Sequence, residues 1–134
     1  MSAKRTPAAR EMRLAPRDAR LLRASLAAVW LATALVSALG AHDRSAALLA
    51  QAGIVSPWLV ALALWGGIAM DATVGLVLAF ASLRIAATIA LAAALVMTVV
   101  TTAVLPAMWL DPLGALLKNL PILAVLVVLR RNSP

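Results

Sequence analysis

The 134-residue chain contains no cysteine, no tyrosine and one histidine, His42. Without cysteine, the chain cannot form disulfides, thiolate metal sites, iron–sulfur clusters or CxxC redox centres of its own. One histidine cannot build a multi-histidine metal centre or a bis-histidine haem site. We therefore expect no metal site, no catalytic residues and no cofactor that the chain holds alone.

Charged residues are also scarce, because only 13% of the chain is charged while 64% is apolar. Soluble domains average about 25% charged and about 45–50% apolar residues. The mean hydropathy of +1.00 argues against a soluble enzyme, a disordered tail and a nucleic-acid-binding module, although the net charge is +7. The excess apolar surface predicts an integral membrane protein whose first partner is the lipid bilayer.

The apolar runs are long enough to predict four membrane-crossing helices, since about 20 apolar residues cross a hydrocarbon core roughly 30 Å thick. The run from Pro57 to Leu110 is too long for one crossing and must fold back at the polar residues Ser82–Arg84. A short interfacial helix is expected over Ser45–Ala52, ended by Gly53. The predicted crossings are residues 21–39, 58–80, 85–105 and 113–129.

The basic residues predict the orientation of these helices. With four crossings, ten of the twelve basic residues fall on one side: seven between Lys4 and Arg23, Arg84 at the turn and two at the C-terminus. The positive-inside rule places that side in the cytoplasm. The prediction is an all-α, four-transmembrane-helix bundle, multi-pass in the inner cell membrane, with both termini cytoplasmic. Its parts are a basic segment 1–20, a membrane domain 21–131 and a tail 132–134.

A cleavable signal peptide is the alternative for the first helix. Basic residues, an apolar stretch and the small residues Ala38–Ala41 have the order of such a peptide. The apolar stretch is longer than the usual length of about 7–15 residues, which favours a retained helix. Mass spectrometry of the mature N-terminus distinguishes the two.

Two charged residues, Asp71 and Lys118, lie inside predicted crossings. Asp71 is close to the bilayer midplane, where a charged side chain costs about 2.5–3.5 kcal/mol. Lys118 lies nearer the end of its crossing, and its long side chain reaches further into the membrane. We expect the two charged groups to meet, either as a bridge that joins two helices or as a ligand or proton site.

Small residues surround both charges. Gly67 and Gly75 lie four residues on either side of Asp71, so the three share one helical face. Gly114 stands in the same relation to Lys118. These glycines are predicted to have a structural role, because small residues let another helix approach closely.

Pro121 is predicted to be structural as well, since it lacks the N–H that would bond the carbonyl of Leu117. We expect a kink there, with a free backbone acceptor beside Lys118 and Asn119. Other polar residues at helical spacing occur in the first and third helices. They are Trp30, Thr33 and Ser37, and Thr98, Thr101 and Thr102. For the hydroxyl residues, ordinary helix packing is the alternative to a binding role.

The segment from Trp109 to Pro121, WLDPLGALLKNLP, resembles the start of the last helix in DoxX-like membrane proteins. Asp71 followed by Gly75, and Trp30 in the first helix, also match that pattern, over about residues 20–131. The resemblance implies a four-helix membrane bundle. The family takes its name from a subunit associated with a terminal quinol oxidase, so a quinone is the implied candidate ligand and an oxidoreductase the implied partner.

The chain departs from the family pattern in three respects. The acidic residue is usually Glu, and Asp71 is one methylene shorter. A lysine often follows the tryptophan of the first helix near its outer end, whereas Ser37 and Ala38 stand there in this chain. Some members are joined to oxidoreductase domains, and these 134 residues contain none.

Three functions agree with these observations. The first is a non-catalytic membrane subunit that binds a small lipophilic molecule, with quinone as the candidate and a redox partner as the source of electrons. The second is a structural anchor or assembly module, and the third is a small solute or proton carrier, for which a homodimer is the candidate form. The candidate ligand-binding residues are Asp71, Lys118, Asn119, Trp30, Ser37 and Thr101.

Overall fold

The structure, a computed structural model, describes residues 14–40, 42–110 and 116–133, apart from the side chain of His42. These residues form five α-helices and one 3₁₀ helix, with no strand among them, which confirms the all-α fold class. The α-helices are α1 (Pro16–Gly40), α2 (His42–Gln51), α3 (Pro57–Phe80), α4 (Leu83–Val104) and α5 (Asn119–Arg131), and the 3₁₀ helix is Pro106–Trp109.

Three helices, α1, α3 and α4, are long and apolar enough to cross a membrane. Helix α5 has 13 residues and is therefore about 20 Å long, less than the thickness of the hydrocarbon core. A fourth crossing and the cytoplasmic location of both termini stay predictions.

The last helix begins later than predicted. Within the described residues, 116–118 form a turn and α5 starts at Asn119, while Gly114 lies outside the described residues. Pro121 consequently falls in the first turn of α5, where its missing N–H has no intrahelical partner to lose. The carbonyl of Leu117 accepts a bond from the backbone N–H of Leu120 at 3.1 Å. The predicted kink and free acceptor at this place were therefore wrong.

The helices pack as two pairs, α1 with α3 and α4 with α5, and α3 and α4 join the pairs. The buried core is made of leucine, valine and alanine, and most of the alanines are on α4. Alanine has no side-chain atoms beyond Cβ, so neighbouring helices can approach closely. The core residues are Leu26, Ala27, Val74, Leu78, Ala86, Ala87, Ala90, Ala94, Leu126 and Leu129.

One end of the bundle, called the closed end here, brings distant parts of the chain together. The backbone N–H of Leu14 donates to Oδ1 of Asn132 at 3.1 Å, so the start of α1 lies beside the end of α5. The guanidinium of Arg23 donates to the carbonyls of Leu78 and Ala81 at the C-terminal end of α3. A cation at this position satisfies carbonyls that have no helical partner and complements the helix dipole.

Helix α2 lies at the opposite end, called the cavity end, and contacts α1 and α3. It begins earlier than predicted and ends at Gln51. Gly53, with φ 77°, follows it. The N–H of Ile54 bonds the carbonyl of Leu49 and that of Gly53 bonds the carbonyl of Ala50, both at 2.9 Å. This is a Schellman ending, whose left-handed residue favours glycine.

Candidate functional site

Two neighbouring cavities lie between the helices at the cavity end. The larger one, called the main cavity, has a volume of about 360 Å³. The smaller one, called the α2 cavity, has a volume of about 280 Å³. Asp71, Thr101 and Met108 line both. The residues that line the main cavity come from α1, α3, α4, the 3₁₀ helix and the segment around the start of α5.

The structure brings five of the six candidate ligand-binding residues to the main cavity. They are Asp71, Lys118, Asn119, Trp30 and Thr101. The sixth, Ser37, lines the α2 cavity instead, together with Gly67. Ser37 lies seven residues beyond Trp30 on α1, about two helical turns towards α2, so the two cannot serve the same part of one small cavity.

Asp71 and Lys118 line the same cavity but do not form the direct bridge that was one of the two predicted alternatives. Asp71 is half-buried and Lys118 is exposed. Within the described residues, no ion pair closer than 4.0 Å joins them. Lys118 nevertheless attracts the Asp71 carboxylate across the cavity. Because Lys118 precedes α5 rather than lying within it, its backbone is not held by helical hydrogen bonds on both sides.

Trp30 carries a polar group that has no partner among the described residues. Its indole Nε1 is buried, with less than 1 Å² of exposed surface, and makes no hydrogen bond. The side chain lines the main cavity and packs against the core. A buried donor without an acceptor costs about 1–3 kcal/mol, so a bound acceptor atom would be stabilising here.

Two hydrogen bonds between side chains connect α4 with the segments that follow it. The amide Nδ2 of Asn119 donates to Oγ1 of Thr98 at 3.0 Å. The indole Nε1 of Trp109 donates to Oγ1 of Thr102 at 3.1 Å. Sequence reasoning missed both. The four-residue spacing of the two threonines, which puts them on one face of α4, was the available signal.

Each of these threonines also bonds the helix that carries it. Thr98 Oγ1 donates to the carbonyl of Ala94 at 2.7 Å, and Thr102 Oγ1 donates to that of Thr98 at 2.6 Å. The hydroxyl hydrogen is therefore used, and the oxygen is free to accept from Asn119 or Trp109. These two threonines are thus structural contacts, whereas Thr101, between them, faces the cavities.

The two glycines flanking Asp71 meet different neighbours. A Cβ at Gly75 would lie 2.6 Å from Cγ of Leu31 on α1, so a larger side chain is excluded by a close helix contact. A Cβ at Gly67 would lie 4.0 Å from the terminal methyl of Met97 on α4. Close helix approach through α3 therefore depends on Gly75, and Gly67 forms part of a cavity wall.

The main cavity combines apolar walls with a few polar groups. Val29, Ala94, Met97, Leu116 and Ile122 supply apolar surface. The polar groups include donors, the Trp30 indole and the Lys118 ammonium, and an acceptor, the Asp71 carboxylate. A volume of this size lies within the range of about 300–1,000 Å³ that is usual for small-molecule sites. The arrangement suits a small, largely apolar molecule that carries an oxygen acceptor.

The comparison with known proteins agrees with this membrane architecture. No curated protein and no solved structure gives a significant match. A family model described as the DoxX-like family matches residues 27–127, which is most of the chain. This match includes α3, α4 and the residues around both cavities. The chain therefore belongs to the DoxX-like family.

Proposed function

We propose that this DoxX-like membrane protein is a non-catalytic inner-membrane subunit that binds a small lipophilic molecule in its main cavity. A quinone is the candidate ligand, and an oxidoreductase is the candidate partner. In this proposal α5 and the residues before it complete a fourth crossing. The observation that carries the proposal is the buried indole N–H of Trp30, which has no hydrogen-bond partner among the described residues and lies in an apolar cavity with Lys118 and Asp71.

The chemistry of the polar groups supports a ligand with carbonyl oxygens. A quinone carbonyl accepts hydrogen bonds, and the main cavity offers it the Trp30 N–H and the Lys118 ammonium. The cavity also has an apolar lining for the ring and the first part of an isoprenoid tail. The Asp71 carboxylate also attracts the Lys118 ammonium, so Asp71 competes with the ligand for this donor.

The association with a redox partner rests on the family resemblance rather than on the cavity. The family name derives from a subunit associated with a quinol oxidase. In the proposal the chain holds the ligand and the partner supplies the electrons. Exposed apolar side chains along the helices, among them Leu39 and Phe80, offer surface to lipid or to such a partner.

Binding of a short-chain benzoquinone to the protein in lipid nanodiscs tests the proposal. Trp30→Phe removes the indole donor and keeps an aromatic wall. We expect it to weaken binding by about tenfold, since one buried hydrogen bond contributes roughly 0.5–1.5 kcal/mol. Lys118→Met should weaken binding as well, because it removes the second donor.

Trp58→Phe is the matched control, since Trp58 is 71% exposed and lines neither cavity. Equal affinities of the Trp30→Phe and Trp58→Phe variants would contradict the proposal. An anchor role predicts instead that the exchange Asp71→Lys with Lys118→Asp keeps full activity of the partner. A carrier role predicts solute or proton flux in reconstituted vesicles.

A further inference from the structure

The α2 cavity has no part in the proposed binding of a lipophilic ligand. Its polar side chains are those of Ser37, Ser45, Asp71 and Thr101. These groups come from four helices, α1, α2, α3 and α4, and face one space.

Asp71 lies where the two cavities adjoin. It lines the main cavity together with Trp30 and Lys118, and it lines the α2 cavity together with Ser37 and Ser45. A carboxyl group at this position can be hydrated from one side while the other side remains apolar. The half-buried state of Asp71 agrees with such a boundary position.

Helix α2 determines where the α2 cavity opens. Ser45, Leu48 and Leu49, at helical spacing i, i+3 and i+4, turn towards the cavity. Exposed Asp43 lies on the opposite face, and exposed Arg44 lies at the edge between the two faces. A short helix with one charged face and one apolar face lies at the boundary between water and lipid. The cavity that it borders therefore opens near that boundary.

We propose that the α2 cavity is a hydrated vestibule, through which water and protons reach the Asp71 carboxyl from the side of the membrane where α2 lies. A cavity needs roughly 10–15 Å³ and two to four polar partners for each water that it holds. The α2 cavity has about 280 Å³ and four polar side chains. A proton from vestibule water binds one carboxylate oxygen of Asp71 and leaves by the same route.

This inference deepens the proposed function, because the vestibule would give the ligand cavity a source of protons. Only this role as a proton source rests on the proposed function. Water access to Asp71 can be measured without any ligand, so the two proposals can fail independently.

Thiol labelling in vesicles tests the vestibule directly, because the chain contains no cysteine and every introduced thiol is unique. The variants Ser37→Cys, which keeps Asp71, and Asp71→Cys are treated with a charged, membrane-impermeant maleimide, and adduct formation is followed by mass spectrometry. Leu62→Cys on α3 is the control, since Leu62 is 55% exposed and lines neither cavity. Both vestibule positions should react at least about tenfold faster than the control, because the reactive thiolate forms in water and not in lipid.

A second pair of variants blocks the entrance. Ser45→Trp places a large ring on the cavity face of α2, and Ala47→Trp places it on the exposed face. In the Asp71→Cys background, Ser45→Trp should lower the labelling rate, and Ala47→Trp should leave it unchanged. Labelling of Ser37→Cys and Asp71→Cys no faster than that of Leu62→Cys would overturn the proposal. Equal effects of the two tryptophan variants would overturn it as well.

Discussion

The closed end and the cavity end of the bundle use the same helices in different ways. At the closed end, Leu78, Leu126 and Leu129 have no exposed surface, and Arg23 joins α1 to the end of α3. At the cavity end, the helices leave two cavities between them and bury the Trp30 indole N–H, for which the described part of the chain offers no acceptor. The closed end therefore contributes the close packing between helices. The cavity end is less closely packed, and it contains polar groups whose burial in a close-packed apolar core would be unfavourable.

Helix α4 shows the residue basis of this difference. Near the closed end it presents buried Ala86, Ala87 and Ala90, whose small side chains allow close helix contact. Towards the cavity end it presents Met97 and Thr101, which line the main cavity. One helix therefore combines a packing surface with a binding surface, separated along its length.

The largest expected effect comes from the closed end. Leu126→Ala should lower the free energy of unfolding by about 2–5 kcal/mol, because the removed atoms leave a cavity in a fully packed region. Leu120→Ala is the control on the same helix, since Leu120 is 52% exposed and Leu126 is 0% exposed. Thermal unfolding in detergent micelles measures both. Similar losses for the two variants would mean that the closed end is not the better packed one.

Gly75→Ala should have the next largest effect. The added Cβ would meet the Leu31 side chain at 2.6 Å and the Leu31 backbone nitrogen at 3.2 Å, so α1 and α3 must shift. Overpacking of this kind costs about 1–3 kcal/mol. Gly66→Ala has nothing within 4 Å of the new Cβ and should be neutral or stabilising. The same unfolding measurement decides, and an equal response at both glycines would contradict the close contact.

Arg23→Met should lower the stability by about 1 kcal/mol, because it removes a charged donor from the α3 carbonyls at the closed end. Arg20→Met removes the same charge from the same helix, but among the described residues Arg20 bonds only the Pro16 carbonyl of its own helix, at 3.3 Å. The difference in unfolding free energy between the two variants measures the contact between helices. No difference would show that Arg23 acts only through its charge.

The smallest expected effect concerns the hydrogen bond between Asn119 and Thr98 at the cavity end. A double-mutant cycle with Asn119→Ala and Thr98→Val should give a coupling energy of about 0.6 kcal/mol, the average for such bonds in membrane proteins. Thr88→Val replaces Thr98→Val in the control cycle, because Thr88 bonds only the Arg84 carbonyl of its own helix. Equal coupling in both cycles would contradict the bond.

Much of the helical architecture could be predicted because apolar runs and polar interruptions have direct physical meanings. Only Ala81 and Ser82 separate α3 from α4, close to the predicted turn at Ser82–Arg84. The start of α5 was not predictable in this way, since the apolar pattern continues before Asn119 although the helix does not. Pro121 was interpreted as a kink, but it lies in the first turn of the last helix because α5 starts at Asn119.

The candidate site was predicted in part. The positions of Asp71 and Lys118 within their predicted crossings indicated that the two side chains meet in the membrane. Both residues line the main cavity. Two features were not predictable: the absence of a direct ion pair between Asp71 and Lys118, and the Trp30 indole N–H that has no partner among the described residues. The spacing of Thr98 and Thr102 indicated a shared face of α4, but it did not indicate that Thr102 bonds Trp109. Each depends on distances of a few ångströms between segments that are far apart in sequence.

By itself, the sequence determined that this protein is helical, that it requires lipid, and that two opposite charges lie within apolar segments. Length and hydropathy decide these properties, because a backbone without water must satisfy its own hydrogen bonds. Only the tertiary structure decided that one end is tightly packed, that Arg23 bonds the end of α3, and that Asp71 lies between two cavities. Those properties depend on how closely the helices approach one another. Side chains from segments that are far apart in the sequence set that distance, so no single segment reveals it.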